Sequence, residues 1–191
     1  MPREILIGVS GGIAAYKSAA LVSDLVQSGI GVSVVMTRSA MKFVGPATFR
    51  ALTGRRVATQ SFEDDDHPLG PHIEMARQAE LLCVAPATAN FLAKAACGLA
   101  DDLLSTLVLS FTGPIIVAPA MNKEMWSKPA VQRNVKQLRD DGFHFVGPGD
   151  GWQSCRERGV GRMSEPAAIA AAVRKLFDGT VTPRSAEASG M

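Results

Sequence analysis

The sequence predicts an α/β protein, a doubly wound parallel sheet in three α/β/α layers that forms a single domain. Three observations support this prediction. Short apolar runs, such as residues 5–9 and 81–85, have the length of buried strands. Segments with helical spacing alternate with these runs, which is typical of parallel sheets. The length of 191 residues allows one domain with a substantial core, and 47% hydrophobic residues fit a compact α/β protein.

Five strands are predicted, each from a short apolar run between residues that favour turns. In chain order they are residues 5–9, 32–36, 81–85, 115–118 and 143–146. The runs are nearly continuous rather than alternating, as expected for strands covered by helices on both faces. In such sheets the ligand lies beyond the carboxyl ends of the strands, so the strand-end segments are the first place to look for a site.

Helices are predicted where apolar residues recur at helical spacing between the strands. In chain order they are, approximately, residues 13–27, 40–52, 72–78, 89–97, 102–109, 129–141 and 166–177. The first places Ala15, Val22 and Val26 on one face, and Gly29 follows it as glycine often follows a helix end. Pro166 falls in the first turn of the last helix, where proline is favoured.

Three segments lack either pattern. Residues 60–71 contain three consecutive acids and then Pro and Gly, which predicts a loop. Residues 147–163 predict a long glycine-rich loop, and loops of this length are commonly functional or mobile. We assign residues 1–177 to the folded domain, and the Gly/Ser/Pro/Thr-rich composition of residues 178–191 predicts a disordered tail.

Composition narrows the class of protein. A net charge of +2 gives no reason to expect a nucleic-acid or membrane surface. The most apolar stretch, residues 81–100, contains Pro86, Asn90 and Lys94, which argues against a transmembrane helix. The N-terminus has no signal-peptide layout, and three widely spaced cysteines favour a reducing compartment, so we expect a cytoplasmic protein. The histidines lack ligand-like spacing, so no metal site is expected.

The strand ends share glycine, alanine and short polar side chains, and they should meet at one edge of the sheet. They are Ser10-Gly11-Gly12, Thr37-Arg38-Ser39, Pro86-Ala87-Thr88-Ala89-Asn90 and Pro119-Ala120-Met121-Asn122. After the first strand, free backbone N–H groups at a helix start predict a phosphate site; a tight turn without a ligand is the alternative. The third glycine of Gly-x-Gly-x-x-Gly is missing, which favours a mononucleotide over a dinucleotide.

Two side chains stand out as candidates for chemistry. Asn122 can donate and accept hydrogen bonds at once, which suits holding a carboxylate or a thiol against a planar cofactor, although asparagine is also a favoured helix cap. Cys155 lies among arginines in the glycine-rich loop, and cations favour thiol reactivity; an exposed bystander is the alternative. Cys83 and Cys97 lie in apolar patterns and are expected in the core.

His72 could accept a proton near neutral pH, although a lone histidine is more often a surface or capping residue. Its neighbours complete a set of motifs that runs through most of the chain. The motifs are Ser10-Gly11-Gly12-Ile13-Ala14-Ala15-Tyr16-Lys17, His72-Ile73-Glu74, Pro86-Ala87-Thr88-Ala89-Asn90, Gly98 to Leu104, Pro119 to Trp126, and Cys155 with Gly159-Val160-Gly161-Arg162-Met163. Together, over about residues 4–177, they resemble the flavin-containing cysteine decarboxylases.

The resemblance implies a Rossmann-like (flavodoxin-like) fold and FMN bound between the subunits of a homotrimer, which can assemble into a homododecamer. The implied substrate is a small molecule, phosphopantothenoylcysteine of coenzyme A synthesis. Its thiol is oxidised, CO₂ is lost, and the resulting enethiol is reduced again to 4′-phosphopantetheine, so the flavin is recycled.

The resemblance also implies roles by position. His72 is the base, Asn122 holds the substrate carboxylate and Cys155 donates the last proton, with the loop around it acting as a clamp. The implied FMN contacts are Ser10, Gly11, Gly12, Ile13, Ala14, Thr37, Arg38, Ser39, Thr88, Ala89, Asn90, Phe91 and Ala120. The implied substrate contacts are Met121, Asn122, Arg162 and Met163, with Arg162 and Lys123 as cations for its phosphate.

One departure and three alternatives accompany the resemblance. Ser154-Cys155-Arg156 replaces the usual Ala-Cys-Gly of the clamp, and the missing glycine is expected to alter the loop. A peptidyl-cysteine decarboxylase would stop at the enethiol, and Cys155 argues against it. A flavin prenyltransferase is disfavoured by the Met-Asn-x-x-Met-Trp string. A regulatory subunit without catalysis is disfavoured by the presence of His72, Asn122 and Cys155.

Overall fold

A five-stranded parallel sheet forms the centre of the computed structural model, which describes residues 3–60 and 70–179. Its strands are β1 (Glu4–Val9), β2 (Gly31–Met36), β3 (Leu81–Ala87), β4 (Ile115–Pro119) and β5 (His144–Phe145). Their order across the sheet is β2-β1-β3-β4-β5, and all four neighbouring pairs are parallel. The five strands lie where the apolar runs predicted them, so the parallel sheet is confirmed.

Eight helices accompany the sheet in the described part of the chain. They are α1 (Ala15–Gln27), α2 (Pro46–Thr53), α3 (Pro71–Gln78), α4 (Ala89–Cys97), α5 (Leu103–Ser110), α6 (Lys123–Ser127), α7 (Pro129–Asp140) and α8 (Pro166–Gly179). The single helix predicted at 40–52 is wrong, because a short 3₁₀ turn at Ala40–Lys42 ends before Pro46 starts α2. Proline lacks an N–H group and therefore favours a helix start over a helix interior. The predictions also missed α6, whose five residues are too few for a periodic pattern.

The hydrophobic core has two parts, one on each face of the sheet. Ile5 and Ile7 of β1 point to the part that α1, α2 and α8 cover. Leu6 points to the opposite part, covered by α3, α4, α5 and α7. Successive side chains of a strand point to opposite faces, so an unbroken apolar run supplies both parts. The predicted three-layer α/β/α architecture is therefore confirmed.

The strand order fixes where a ligand can bind. From β1 the chain moves to one edge with β2 and then returns past β1 to β3, so the order reverses between β1 and β3. The turns that leave these two strands diverge to opposite faces and open a crevice at their carboxyl ends. That crevice lies between Ser10-Gly11-Gly12 and Thr88-Ala89-Asn90, two of the segments predicted to meet.

The predicted long loop at 147–163 is wrong, because most of it is a β-hairpin. Its strands are β6 (Gly149–Trp152) and β7 (Arg158–Arg162), which pair antiparallel. Glycines make up half of β6, and glycines and arginines make up most of β7, so the usual alternation of apolar and polar residues is missing from the sequence. The residues between the strands, 153–157, form the tip and include Cys155.

The last helix is longer than predicted. Helix α8 continues to Gly179, so residues 178–179 belong to a helix and not to the predicted tail. Residues 180–191 and most of the predicted loop at 60–71 lie outside the described residues. Within the described ranges, none of the helices is both long and apolar enough to cross a membrane.

Candidate functional site

A cavity of about 680 Å³ opens at the carboxyl ends of β1, β3 and β4. Its walls come from the β1–α1 turn, the start of α4, the segment that leaves β4, and the hairpin β6–β7. The lining residues are Gly11, Gly12, Ile13, Ala14, Tyr16, Lys17, Thr88, Ala89, Asn90, Ala120, Met121, Asn122, Met125, Trp152, Gln153, Ser154, Cys155, Gly161, Arg162 and Met163. Its size lies within the usual range for small-molecule sites.

The β1–α1 turn presents backbone donors to this cavity. The first hydrogen bond of the turn is donated by Ala15 N to Gly12 O, at 2.9 Å. Within the described part of the chain, the N–H groups of Gly11, Gly12, Ile13 and Ala14 have no hydrogen-bond partner. These donors precede α1, whose dipole is positive at this end, so the turn is suited to an anionic group such as a phosphate.

Ser10 links the β1–α1 turn to the β3–α4 turn by hydrogen bonds. Its hydroxyl donates to Pro86 O at 2.7 Å and accepts from Thr88 N at 3.1 Å. Thr88 in turn caps α4, because its hydroxyl oxygen accepts from Phe91 N at 3.4 Å. The two turns are thus held together below the cavity, and the hydroxyl of Ser10 is engaged in this structural contact.

Asn122 follows β4 at the cavity. The oxygen and the nitrogen of its side-chain amide have different hydrogen-bond partners. The oxygen Oδ1 accepts from Glu124 N at 2.7 Å and caps α6. The nitrogen Nδ2 donates to Cys155 Sγ at 3.3 Å. The capping interpretation of the sequence is therefore confirmed, and the role of Asn122 in holding a ligand stays a prediction.

The hairpin is attached to the segment that leaves β4 by a close backbone approach. Met121 N donates to Gly161 O at 2.9 Å. Gly161 has a φ of +147°, and a Cβ at this position would lie 2.3 Å from Met121 O. Only glycine fits this contact, which brings Cys155 at the hairpin tip to the side of the cavity that carries Asn122.

The cations of the cavity wall are paired with carboxylates. Lys17 is a buried cation, with its side chain 8% exposed; its Nζ lies 2.9 Å from Glu165 Oε1. The same carboxylate oxygen lies 2.6 Å from Arg162 Nη2. The hydrogen bond from Lys17 lowers the pKa of Glu165 below its ordinary value, and the charge of Arg162 adds to this effect. Lys123, also predicted to meet the substrate phosphate, does not line the cavity; its Nζ lies 3.3 Å from Glu157 Oε2.

Most of the predicted site residues are brought together at the cavity. Those that line it are Gly11, Gly12, Ile13, Ala14, Thr88, Ala89, Asn90, Ala120, Met121, Asn122, Cys155, Arg162 and Met163. The predictions did not assign Tyr16, Lys17, Met125, Trp152, Gln153, Ser154 and Gly161, which also line it. The motifs of the sequence could have indicated four of these residues, since they contain Tyr16, Lys17, Met125 and Gly161.

Other predicted residues lie away from the cavity wall. Phe91 is buried in the core beneath α4, and Ser10 is buried below the turns. Thr37, Arg38 and Ser39 follow β2, where the Thr37 hydroxyl accepts from Ala40 N at 3.2 Å. Within a single chain, these five residues are therefore neighbours of the cavity or of its supporting turns and not part of its lining.

His72 is not among the residues that line the cavity of its own chain. It is half-buried in the first turn of α3, and its carbonyl oxygen accepts from Ser110 Oγ at 3.4 Å. Helix α3 packs against α5, in the layer on the other side of the sheet from α1. Within one chain, His72 therefore lies apart from Asn122 and Cys155, and its role as the base stays a prediction.

The three cysteines have different surroundings. Cys83 is buried, as predicted, and burial raises the pKa of its thiol to about 12. Cys97 is exposed, so its predicted place in the core is wrong; it ends α4 on the outward side. Cys155 is exposed at the hairpin tip. The described residues contain no cluster of three or more His, Cys, Asp or Glu side chains that could hold a metal ion.

The hairpin tip has a residue with a Cβ in a left-handed conformation directly after Cys155. Arg156 has a φ of +65°, the left-handed region that glycine adopts without steric cost. Within the described ranges it is the one residue other than glycine with a positive φ. Arg156 therefore occupies a conformation that glycine would adopt at no steric cost, and the expected effect of the missing glycine on the loop stays a prediction.

Fold and site together define a doubly wound α/β protein with a cavity at its topological switch point, backbone donors suited to an anionic ligand, and a thiol on the cavity wall. The chain belongs to the Flavoprotein family, whose profile matches residues 1–178. The resemblance found in the motifs is therefore confirmed.

Two curated relatives carry the name coenzyme A biosynthesis bifunctional protein CoaBC. The relative from Bacillus subtilis (strain 168) is 47% identical over 175 residues, which cover 92% of this chain. The relative from Mycobacterium tuberculosis (strain ATCC 25618 / H37Rv) is 43% identical over 178 residues, or 93% of this chain. The matched region spans 43% and 42% of these two relatives, so the chain corresponds to less than half of their length.

Solved structures of similar size match along nearly their whole length. A PPC decarboxylase mutant complexed with pantothenoylaminoethenethiol has a TM-score of 0.82 at 30% identity and covers 93% of this chain and 100% of that one. The FMN-binding protein AtHal3 has a TM-score of 0.81 at 30% identity, with coverages of 95% and 100%. The FMN-dependent cysteine decarboxylase SpaF has a TM-score of 0.78 at 37% identity, with coverages of 92% and 97%.

Proposed function

We propose that this chain is an FMN-dependent decarboxylase that converts 4′-phosphopantothenoylcysteine to 4′-phosphopantetheine in coenzyme A biosynthesis. The observation that carries the proposal is the pair formed by Asn122 and Cys155, whose side chains meet at 3.3 Å on the cavity wall. The similarity to the CoaBC relatives and to the PPC decarboxylase structure supports the substrate. A reducing, cytoplasmic location fits the free cysteines of the chain.

The residues of the cavity fit FMN. Four N–H groups before α1, from Gly11 to Ala14, have no partner in the described chain and are suited to the phosphate. Thr88, Ala89 and Asn90 form the opposite wall, at the start of a second helix, and Ala120 and Met121 offer apolar contacts for a planar ring. The chemistry that FMN supplies when bound is a reversible two-electron oxidation of the cysteinyl side chain.

Asn122 holds the substrate for the loss of CO₂. Its Nδ2 donates into the cavity, where it can hold the substrate carboxylate, and the cap on α6 keeps this nitrogen facing inward. Oxidation of the substrate thiol to a thioaldehyde places a C=S bond beside the carbon that bears the carboxylate. When CO₂ leaves, the electron pair of the broken bond is delocalised into that C=S group, which gives the enethiol.

Cys155 completes the cycle by donating a proton. Reduction of the enethiol returns two electrons and needs a proton at carbon, and the exposed thiol of the hairpin tip, which contacts Asn122, can supply that proton. The thiolate left on Sγ is stabilised by the N–H of Asn122 until solvent returns the proton. The hairpin therefore acts as a clamp that carries the proton donor.

His72 reaches the reaction from a neighbouring copy of the chain, in a homotrimer or a dodecamer built from trimers. Within one chain it lies in α3, apart from the cavity, so a site that uses it as the base needs a second copy. Large apolar side chains at the cavity mouth support such a contact: Ile13, Tyr16 and Trp152 are 56%, 59% and 62% exposed. The substrate is a small molecule, and no nucleic acid or membrane takes part.

The test is an anaerobic incubation of the purified protein with phosphopantothenoylcysteine, after its visible spectrum has been recorded. A yellow protein whose product is lighter than the substrate by CO₂ alone supports the complete cycle. A product lighter by CO₂ and two further hydrogens, with bleached flavin, supports only the oxidative half. A colourless and inert protein overturns the proposal.

A second candidate is an oxidative decarboxylase of cysteinyl peptides that stops at the enethiol. SpaF, an FMN-dependent cysteine decarboxylase, is 37% identical to this chain, compared with 30% for the PPC decarboxylase structure, so the comparisons support cysteine decarboxylation more broadly than one substrate. Cys155 favours the first candidate, because a reaction that stops at the enethiol has no use for a proton donor. A peptide that ends in cysteine, offered in the same incubation, separates the two substrates.

A further inference from the structure

Gln153 is a buried polar side chain at the base of the hairpin tip. It is 8% exposed, whereas its neighbours Trp152 and Ser154 are exposed. A carboxamide is costly to bury unless its hydrogen bonds are made, and here each end of the amide has partners. Its position two residues before Cys155 makes those partners relevant to the thiol.

The orientation of this carboxamide is fixed by contacts on both sides. Its Nε2 donates to Gly159 O at 3.2 Å, across the hairpin. The amide is wedged against β7, since a Cβ on Gly161 would lie 2.8 Å from Nε2. Its Oε1 faces the other way and accepts from Lys123 N at 3.0 Å, at the start of α6. Gln153 thus joins the clamp to the helix that Asn122 caps.

The thiol of Cys155 lies between two amides. Its Sγ accepts from Asn122 Nδ2 at 3.3 Å and donates to Gln153 Oε1 at 3.6 Å. A thiol has one proton, so its direction is set when an acceptor is on one side and a donor is on the other. Without Gln153 Oε1, the hairpin would lose its bond to Lys123 N, and the S–H group would lose its acceptor.

We propose that Gln153 is a positioning residue that holds the S–H group of Cys155 beside Asn122, ready for the proton transfer that follows decarboxylation. This inference rests on the proposed function. The inference assigns the two steps of the reaction to different residues. The loss of CO₂ depends on Asn122, whereas the reduction of the enethiol depends on the position of the S–H group of Cys155. A defect at Gln153 should therefore change which product is released more than how fast CO₂ is released.

The experiment compares Gln153→Met, which keeps the length of the side chain but removes both polar atoms, with the wild type on phosphopantothenoylcysteine. In a single turnover, with no more than one substrate per flavin, we expect CO₂ release within about twofold of the wild type and a roughly tenfold rise in the ratio of enethiol to 4′-phosphopantetheine. Gln153→Glu keeps the acceptor oxygen for Lys123 N and Cys155 and should recover part of the reduced product. Gln137→Met, on the exposed face of α7, is the matched control and should behave as the wild type.

Two results would overturn the inference. One is a normal product ratio in Gln153→Met; the other is a parallel loss of CO₂ release and reduction, which would mean a general structural defect. Urea unfolding shows whether each variant folds. If Gln153→Met does not fold, the test uses Gln153→Glu instead, and its product ratio must differ from that of the wild type.

A second readout does not need the reaction. Exposed Cys97 serves as an internal reference for the rate at which iodoacetamide alkylates Cys155, followed by peptide mass. We expect Gln153→Met to raise the rate ratio of Cys155 to Cys97 about threefold, because the sulfur is no longer held between two amides. An unchanged ratio would remove Gln153 from the thiol's surroundings. If the wild type releases no CO₂, the proposed function fails. The ratio of the two alkylation rates still tests whether Gln153 contacts the thiol of Cys155.

Discussion

Asn122 and Cys155 are 33 residues apart in sequence, yet Nδ2 of the amide donates to Sγ of the thiol at 3.3 Å. The geometry depends on the helix cap at the same residue. Because Oδ1 accepts from Glu124 N at 2.7 Å, the nitrogen is the atom left to face the sulfur. A local interaction that any good N-cap makes therefore orients the functional end of the side chain.

Substitutions at Asn122 should separate capping from chemistry. Asn122→Asp keeps a good N-cap, so the free energy of unfolding should stay within about 0.5 kcal/mol of the wild type, whereas Asn122→Ala should lose about 1 kcal/mol. Both lack the Nδ2 donor, and we expect CO₂ release to fall about 100-fold or more in each. Urea unfolding and CO₂ release measure the two effects. Normal CO₂ release by Asn122→Asp would show that the amide nitrogen has no part in the reaction.

Cys155→Ser should uncouple the two halves of the cycle. The hydroxyl keeps the size of the side chain but is a far weaker acid than a thiol, so the final protonation should slow while CO₂ is still released once per flavin in a single-turnover experiment. The released product should be the oxidised enethiol, lighter than 4′-phosphopantetheine by two hydrogens, as mass spectrometry would show. Cys97→Ser, at the other exposed thiol, is the control. A normal yield of 4′-phosphopantetheine from Cys155→Ser would exclude the assigned role.

His72 should act in the cavity of a neighbouring copy. His72→Asn is expected to bind FMN and to release no CO₂, and Asn122→Asp is expected to be nearly inactive for a different reason. If each site takes His72 from one copy and Asn122 from another, co-expression of the two variants should restore about a quarter of the sites. Activity is measured on isolated mixed oligomers. Mixed oligomers as inactive as the parents would place both residues in the same site of one chain.

The sequence predicted the sheet well because continuous apolar runs and helical spacing are local patterns. The sequence did not predict contacts between side chains that are far apart along the chain. Lys17 pairs with Glu165, 148 residues away, and Gln153 reaches Lys123, so neither the burial nor the pairing is visible in a window of the sequence. The hairpin was missed because β7 contains Arg158, Gly159, Val160, Gly161 and Arg162, and its pairing depends on backbone approach and not on an apolar face. The helix that contains His72 was predicted, but the fold of one chain does not bring His72 to the cavity.

Arg156 offers a test of strain in the clamp. Its φ of +65° costs a residue with a Cβ about 1 kcal/mol relative to glycine. Arg156→Gly should therefore be more stable than Arg156→Ala by up to about 1 kcal/mol, since both remove the same side chain but only glycine relieves the backbone. Urea unfolding of the two variants measures the difference. Equal stabilities, or a more stable alanine variant, would mean that this conformation is not strained.

Glu165 should make stability depend on acid pH. Its pKa is lowered in the folded protein, first by the hydrogen bond from Lys17 Nζ at 2.9 Å and then by the charges of Lys17 and Arg162. A carboxyl group whose pKa is depressed on folding stabilises the protein above its unfolded pKa, which is about 4.3, and that contribution is lost as the pH falls through the folded pKa.

Glu165→Gln keeps an oxygen acceptor for Lys17 but does not titrate. We expect it to be less stable than the wild type at pH 7, by less than about 1 kcal/mol because solvent screens the exposed carboxylate. The two proteins should converge in stability as the pH falls from about 5 to about 3, since protonation removes the charge from the wild type as well. Urea midpoints across this range measure the convergence, and Asp140→Asn, in the exposed pair with Lys136, is the control. A difference that is independent of pH would show that Glu165 acts through packing and not through its charge.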